Sequence, residues 1–162
     1  MIITENEIWR LLESVFDPEI PIMNIVEMGI VREIDLKNNI CEIKITPTYS
    51  GCPAMKTIED EILEILSEAG LKSVSIKKVY SPTWTTDWIT QETRNKLQEY
   101  GIAPPEGTSQ SDFYETILTQ NITCPYCKST NIKLTSEFGS TSCKSLYFCE
   151  NCHQPFEHFK CI

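Results

Sequence analysis

Two CxxC pairs constrain the fold of this chain more than any other feature. Residues 124–127 read CPYC and residues 149–152 read CENC, with 21 residues between them. Two such pairs can supply four thiolates to one tetrahedral ion, and the gap is long enough for a β-hairpin. A module of about 40 residues buries too little surface to fold unaided, so the metal must supply most of its folding free energy. We therefore predict a four-cysteine ribbon over residues 121–162, with the ligands Cys124, Cys127, Cys149 and Cys152.

Zinc is the metal that this cysteine pattern favours. Four-cysteine ribbons of this size are mostly structural zinc sites, although thiolates also bind iron–sulfur clusters. The alternative is four unrelated reduced cysteines, which the paired spacing disfavours.

Cys143 and Cys161 lie outside the two CxxC pairs. If KSLYFC and PFEHFKC are antiparallel strands that turn around the second pair, their pairing is symmetric about residue 152 and the two cysteines lie opposite each other. Cross-strand partners have Cβ atoms about 4.5–5.5 Å apart. These residues are then either two small buried hydrophobic side chains or a redox or transient metal-handling dithiol. A register shift of one residue removes the argument for a dithiol.

The first part of the chain begins with patterns of a helix and a β-hairpin. The sequence TENE at residues 4–7 matches a capping box, which starts a helix. FDPEIPIMN, with two prolines, cannot continue that helix and predicts an extended loop. IVREIDL and ICEIKIT alternate apolar and polar residues around KNN at residues 37–39, which predicts a β-hairpin.

The pattern then returns to a helix, a strand and a last helix. Residues 54–69 have a helical period, and Gly70 is a natural stop. VSIKKV is a third strand, and Thr86 or Asp87 can cap a helix that ends at Gly101. We predict an α+β fold: a mixed-sheet domain with the order α-β-β-α-β-α, followed by a small β zinc ribbon. The predicted boundaries are 1–103 for the domain and 104–120 for a linker.

The charge of the chain is unevenly distributed. Residues 1–120 hold 10 Lys/Arg against 20 Asp/Glu, whereas residues 121–162 hold 4 against 3. Nucleic-acid-binding proteins usually have a strongly basic face, so neither part fits one. No signal peptide and no run of about 20 apolar residues is present, so we expect a cytoplasmic protein that crosses no membrane. Its cysteines are then metal ligands or reactive thiols rather than structural disulfides.

Cys52 stands alone in the segment PTYSGCPAM, where a loop becomes a helix. Pro53 favours the first helical position, which makes Cys52 the N-cap. A thiol there faces unpaired N–H groups and the positive end of the helix dipole, which both stabilise the thiolate. Asp17 and Glu19 can lie near Cys52 if their loop packs against the end of the sheet. From these residues alone, Cys52 either caps a helix or serves as a thiol that binds soft metals or accepts clusters.

Three motifs of the chain resemble the SufT-type family associated with iron–sulfur cluster assembly. They are DPEIPIMNIVEMGIV (17–31), ITPTYSGCPA (45–54) and SPTWTTDWITQETRNKLQEYGIAPP (81–105). Together with the ribbon segment FGSTSCKSLYFCENCHQPFEHFKC (138–161), they are similar to PaaD-type accessory subunits of phenylacetyl-CoA epoxidase. The resemblance implies functional roles for Cys52, Asp17, Glu19, Thr85 and Asp87.

The resemblance also implies a function and partners. A PaaD-type subunit accompanies an oxygenase that converts phenylacetyl-CoA to its 1,2-epoxide, with a di-iron component and an iron–sulfur reductase. This chain has no Glu-x-x-His pair on helices for a di-iron site and no GxGxxG for a nucleotide. We therefore expect an accessory subunit that helps to install iron or a cluster, bound transiently at Cys52, in a partner subunit. The alternatives are a thiol-based redox or electron-transfer component and, less favoured, a nucleic-acid-binding ribbon.

Overall fold

The computed structural model describes residues 3–106 and 122–160, which form two compact units. The first unit ends at Trp84 and the second begins at Thr85. One unit contains a three-stranded sheet and the other a four-stranded sheet. The predicted α+β fold, a small mixed-sheet domain followed by a β ribbon, is thereby confirmed. In the described stretches, no helix combines the length and the apolar character needed to cross a lipid bilayer.

Helix α1 (Glu5–Leu12) begins at the predicted capping box. The Thr4 backbone N–H and the Thr4 hydroxyl each donate to the Glu7 carboxylate at 2.8 Å, and the Glu7 N–H donates back to the Thr4 hydroxyl at 3.4 Å. These bonds satisfy N–H groups that have no partner within the helix. The apolar face of α1 buries Ile8 and Leu12 completely.

The sheet of the first unit consists of β1 (Val31–Lys37), β2 (Ile40–Ile45) and β3 (Ser73–Lys78). β1 and β2 are antiparallel, whereas β2 and β3 are parallel. Asn38 and Asn39 connect β1 to β2 with positive φ angles of 51° and 62°. Asparagine tolerates this conformation, which matches the twist of a hairpin. The predicted hairpin and mixed sheet are both confirmed.

Helix α2 (Ala54–Glu68) is the crossover between the parallel strands β2 and β3. Its end is a Schellman motif, in which the Gly70 N–H donates to the Ser67 carbonyl and the Leu71 N–H donates to the Leu66 carbonyl, both at 3.0 Å. Gly70 has a φ of +92°, so the predicted glycine stop is confirmed. The buried residues of α2 repeat at the predicted helical spacing: Ala54, Met55, Ile58, Ile62 and Leu66.

The loop after α1 is compact, so the prediction of an extended loop is wrong. Phe16 forms an antiparallel bridge with Asn24, and the Asp17 N–H donates to the Met23 carbonyl at 2.9 Å. Ile20 and Met23 are almost completely buried. Helix α1 ends at Leu12, before either proline is reached, and burial of the apolar residues between and after the prolines folds the segment back on itself.

The second unit begins with a short 3-10 helix, Thr86–Trp88, followed by α3 (Gln91–Tyr100). The prediction that Thr86 or Asp87 caps α3 is wrong, because the Thr93 N–H donates to the Thr90 hydroxyl at 3.2 Å. The 3-10 turn separates the predicted cap from the helix. Gly101 ends α3 with a φ of +97°, as predicted.

The second sheet contains β4 (Ile102–Ala103), β5 (Ile132–Ser136), β6 (Lys144–Cys149) and β7 (Pro155–Phe159). Its strand order is β4-β7-β6-β5, and β4 pairs with β7 in parallel. The predicted domain boundary at residue 103 therefore falls inside the second unit, because β4 is a strand of the ribbon sheet. Residues 107–120 of the predicted linker lie outside the described residues.

The register of β6 and β7 differs by one residue from the predicted register. Lys144 pairs with Phe159, and the Lys160 N–H donates to the Cys143 carbonyl at 3.0 Å. Position 160 rather than 161 therefore continues the pairing opposite Cys143. The prediction of pairing about residue 152 is wrong, and the argument for a dithiol fails with it. Cys161 itself lies outside the described residues.

Candidate functional site

The four cysteines of the two CxxC pairs form one cluster in the second unit. Their sulfur atoms all lie within 4.8 Å of one another. The Cys124 and Cys152 sulfurs are 3.7 Å apart, and the Cys127 and Cys149 sulfurs are 3.5 Å apart. Four sulfurs placed about 2.3 Å from one tetrahedral zinc are about 3.8 Å from each other. The residues therefore fit the metal that the sequence predicts, and the spacing of the sulfurs is that of a zinc ribbon.

The two CxxC pairs adopt the same backbone turn. In the first, the Lys128 N–H donates to the Cys124 carbonyl at 2.9 Å, and in the second the His153 N–H donates to the Cys149 carbonyl at 2.9 Å. Lys128 and His153 have positive φ angles of 63° and 58°. Each turn thus directs two cysteine side chains toward one point. The cluster is set by local geometry on both sides of the β5–β6 hairpin.

Hydrogen bonds and burial act unequally on these thiols. The Ser129 N–H, followed by the Asn151 amide, lowers the pKa of Cys127 to about 6. Burial, followed by hydrogen bonding with Cys149, raises the pKa of Cys152 to about 12. Four sulfurs this close cannot all be thiolates unless a cation offsets their repulsion. A divalent metal supplies that charge, which is the second reason why the donor set fits zinc.

The cluster is continuous with the hydrophobic core of the second unit. Cys124 and Cys149 are fully buried, whereas Cys127 and Cys152 are partly exposed. Tyr147 stacks on Phe156 with ring centroids 5.8 Å apart. The metal ligands therefore belong to the packing of the ribbon as well as to its metal site. The buried members of this core are Ala103, Ile122, Cys124, Tyr147, Cys149 and Phe156.

Cys52 lies in the first unit, directly before α2. The helix begins at Ala54 with Pro53 as its cap, so the prediction that Cys52 is the N-cap is wrong by one residue. Cys52 is only 9% exposed. Its sulfur accepts a hydrogen bond from the Ala54 N–H and is hydrogen-bonded to the Thr48 side chain. The thiol is therefore held in a fixed position, although it does not cap the helix.

The charge state of Cys52 also differs from the sequence-based expectation. Burial raises the pKa of the thiol, and the hydrogen bonds from Ala54 and Thr48 oppose that effect without overcoming it. The carboxylates of Glu19 and Asp17 raise the pKa further. The Ala54 N–H at the start of α2 does favour the thiolate, as expected, but desolvation is the larger effect and the pKa of Cys52 is raised on balance.

The loop of Asp17 and Glu19 lies close enough to Cys52 for their charges to act on the thiol, as the sequence predicts. Asp17 is 4% exposed, and its carboxylate accepts bonds from the Glu19 N–H at 2.7 Å and the Ile20 N–H at 3.0 Å. These bonds fix the loop, so Asp17 orients Glu19 as well as supplying charge. Glu19 is partly exposed.

Thr85 and Asp87 belong to the second unit. The Asp87 N–H donates to the Thr85 hydroxyl at 3.2 Å, which caps the short 3-10 helix. Their role beside Cys52 stays a prediction from family resemblance. Sequence reasoning missed Thr48, which reaches Cys52 only because the chain turns between them. Gly51, which lies directly before Cys52, is the sequence signal that could have indicated that turn.

Gly51 makes this turn possible. The Cys52 N–H donates to the Tyr49 carbonyl at 3.3 Å, which closes a four-residue turn with Gly51 at its third position. Gly51 has a φ of +79°, and a Cβ added there meets no atom within 4 Å. The glycine is therefore needed for its backbone conformation rather than for a close approach.

We expect Gly51→Ala to destabilise the protein by about 1 kcal/mol, the cost of a left-handed conformation for a residue with a Cβ. Urea unfolding measures this difference, with exposed Ser50→Ala as the control that leaves stability unchanged. A Gly51→Ala protein as stable as the unsubstituted protein would show that the turn does not require glycine.

Sequence families match both parts of the chain. The family described as iron–sulfur cluster assembly protein matches residues 5–77, and the family described as PaaD zinc beta ribbon domain matches residues 108–160. The first of these matches falls within the unit that holds Cys52, and the second contains all four cysteines of the cluster.

Individual proteins show the same two-part similarity. The chain is 44% identical over 157 residues to an Escherichia coli (strain K12) protein named as a putative 1,2-phenylacetyl-CoA epoxidase subunit, a match that covers 97% of this chain and 93% of that protein. It is 33% identical over 96 residues to an Fe-S protein maturation auxiliary factor of Porphyromonas gingivalis, covering 58% of this chain and 90% of that protein. The crystal structure of a domain of unknown function from Bacillus anthracis matches with a TM-score of 0.54 and 28% identity, over 57% of this chain and 90% of that domain. This chain belongs to the PaaD family, with an iron–sulfur-assembly-type domain followed by a zinc ribbon.

Proposed function

We propose that this protein is an accessory subunit of a phenylacetyl-CoA epoxidase that helps to install iron or an iron–sulfur cluster in a partner subunit. The name of the Escherichia coli relative supports the assignment to the epoxidase, and the similarity to Fe-S protein maturation factors supports the maturation role. One observation carries the proposal: Cys52 is a hydrogen-bonded thiol whose pKa is raised by burial and by the charges of two carboxylates, Glu19 and Asp17.

The chemistry of this site fits a carrier that holds its cargo transiently. Without a cation, burial and the two nearby negative charges keep the Cys52 thiol protonated. An iron cargo reverses the effect of those charges, because a bound cation lowers the pKa of a coordinating thiol until its proton is lost. Cys52 is then a ligand only while cargo is present, and transfer of the cargo restores the neutral thiol.

The partners in this proposal are the other subunits of the epoxidase. The iron–sulfur reductase and the di-iron component are the two candidate recipients, because both need iron. The ribbon contributes structure: a zinc ion there would be held by the four cysteines of the cluster and would have no open position for a substrate. The protein itself performs no oxygenation in this scheme and acts in the cytoplasm, where thiols stay reduced.

The test of the proposal is Cys52→Ser, expressed together with the oxygenase subunits in cells. The hydroxyl can keep the hydrogen bonds to Ala54 and Thr48, but it cannot become a soft anionic ligand. We expect a folded protein, partner subunits with reduced iron content, and epoxidation at the level of cells that lack this protein. The readouts are epoxide formation and the iron content of each purified partner.

Cys41→Ala is the matched control, because Cys41 is a fully buried cysteine on β2 of the same unit. That variant is expected to leave iron content and epoxidation unchanged. Equal iron and activity with wild-type and Cys52→Ser protein would refute a maturation role for Cys52.

A further inference from the structure

The two turns that hold the metal ligands are alike in their backbone but differ in one side-chain contact. A backbone N–H two residues beyond the second cysteine donates to its sulfur in both, from Ser129 to Cys127 and from Gln154 to Cys152. The side-chain amide of Asn151 adds a further bond, from Nδ2 to the Cys127 sulfur at 3.6 Å. This bond crosses from the second CxxC pair to the first.

The matching position of the first CxxC pair is occupied differently. Tyr126 stands immediately before Cys127, as Asn151 stands before Cys152. Its ring lies against Gly101, where an added Cβ would approach the Tyr126 hydroxyl oxygen to 2.8 Å. Tyr126 therefore packs on the end of α3, and among the described residues only Asn151 links the two pairs by a side-chain N–H···S bond.

The bond acts on a sulfur that is accessible. Cys127 is partly exposed, whereas Cys124 and Cys149 are fully buried and held by the core. An exposed ligand has less packing to fix its position, so a hydrogen bond has more effect on it. Groups that hydrogen-bond to a metal ligand fix its orientation, and their loss typically lowers metal affinity roughly 10–100-fold.

We propose that Asn151 is a positioning residue of the metal centre, which holds the Cys127 sulfur in place through a hydrogen bond between the two CxxC pairs and thereby slows loss of the metal. The inference concerns the ribbon alone and does not depend on the function of Cys52. Asparagine is suited to the position because its amide donates a hydrogen bond, whereas a carboxylate at the same place would repel the sulfur anion.

The test uses the full-length zinc-loaded protein and measures the rate of zinc transfer to the chelator 4-(2-pyridylazo)resorcinol. Asn151→Leu keeps the size of the side chain and removes the donor, so we expect zinc transfer roughly 10–100-fold faster. Asn151→Asp is expected to lose zinc at least as fast as Asn151→Leu. Glu150→Gln, an exposed change in the same turn, is the control that leaves the rate unchanged.

Cobalt(II) in place of zinc provides a spectroscopic readout that a general loss of stability would not mimic. A sulfur that loses a hydrogen-bond donor gives up its electrons more easily, so the sulfur-to-cobalt charge-transfer band of Asn151→Leu should move to longer wavelength. A band and a zinc-transfer rate identical to those of the unsubstituted protein would overturn the proposal. Faster transfer with an unmoved band would also overturn it, because the residue would then act only on overall stability.

Discussion

Replacement of Cys127 by serine should abolish tight zinc binding and unfold the second unit from Thr85 onward, while the first unit stays folded. Binding of structural zinc to small modules contributes about 10–16 kcal/mol at neutral pH, which exceeds the stability that a ribbon of this size can gain by packing. The loss should include α3, because β4, which directly follows it, pairs with β7 of the ribbon sheet. Zinc analysis and amide hydrogen exchange, resolved by segment, measure the two effects.

Cys143→Ser is the matched control, since Cys143 is a buried cysteine of the same unit outside the cluster. It should retain one zinc per chain and the amide protection of α3. A Cys127→Ser protein with a full equivalent of zinc and a protected α3 would contradict the ligand assignment. Loss of protection across β1–β3 would contradict the independence of the first unit.

Ile62→Ala should destabilise the first unit by about 3 kcal/mol, whereas the neighbouring change Leu63→Ala should have little effect. Ile62 is fully buried on α2, and Leu63 is 40% exposed on the same turn of that helix. Removing a buried isoleucine loses its transfer free energy and leaves a cavity, which together cost about 2–5 kcal/mol. Because small domains are stable by only about 5–15 kcal/mol, the change should appear as a large shift of the urea midpoint.

Protection of the β1–β3 amides from hydrogen exchange locates the loss in the first unit. The two variants change side chains of the same size on adjacent residues, so any difference in helix propensity is small. Similar destabilisation by both would mean that α2 does not pack on the sheet through the Ile62 face.

Short-range patterns predicted most of the first unit. The capping box at Thr4, the hairpin at Asn38 and Asn39, and the glycine stop at Gly70 each depend on a few neighbouring residues, and each is present. The cysteine cluster could be predicted equally well from the sequence, because the chain direction is reversed by turns that the CxxC pairs themselves form. Local chemistry of this kind needs no knowledge of the tertiary fold.

Features set by tertiary packing could not be predicted in the same way. The pairing of Lys144 with Phe159 depends on the geometry of the turn between β6 and β7, and a difference of one residue there moved every pair. The raised pKa of Cys52 results from burial, which its neighbours in sequence do not reveal. Thr90 rather than Thr86 caps α3, because a 3-10 turn intervenes.

The two-residue strand β4 determines where this protein can be divided by recombination or by protein engineering. It covers one edge of β7, so a ribbon transferred without it would present an unpaired edge strand. Such edges pair readily with other chains and promote aggregation. A transplantable ribbon must therefore begin before Ile102 rather than at the first cysteine, and grafts that omit β4 should be recovered mainly as insoluble protein.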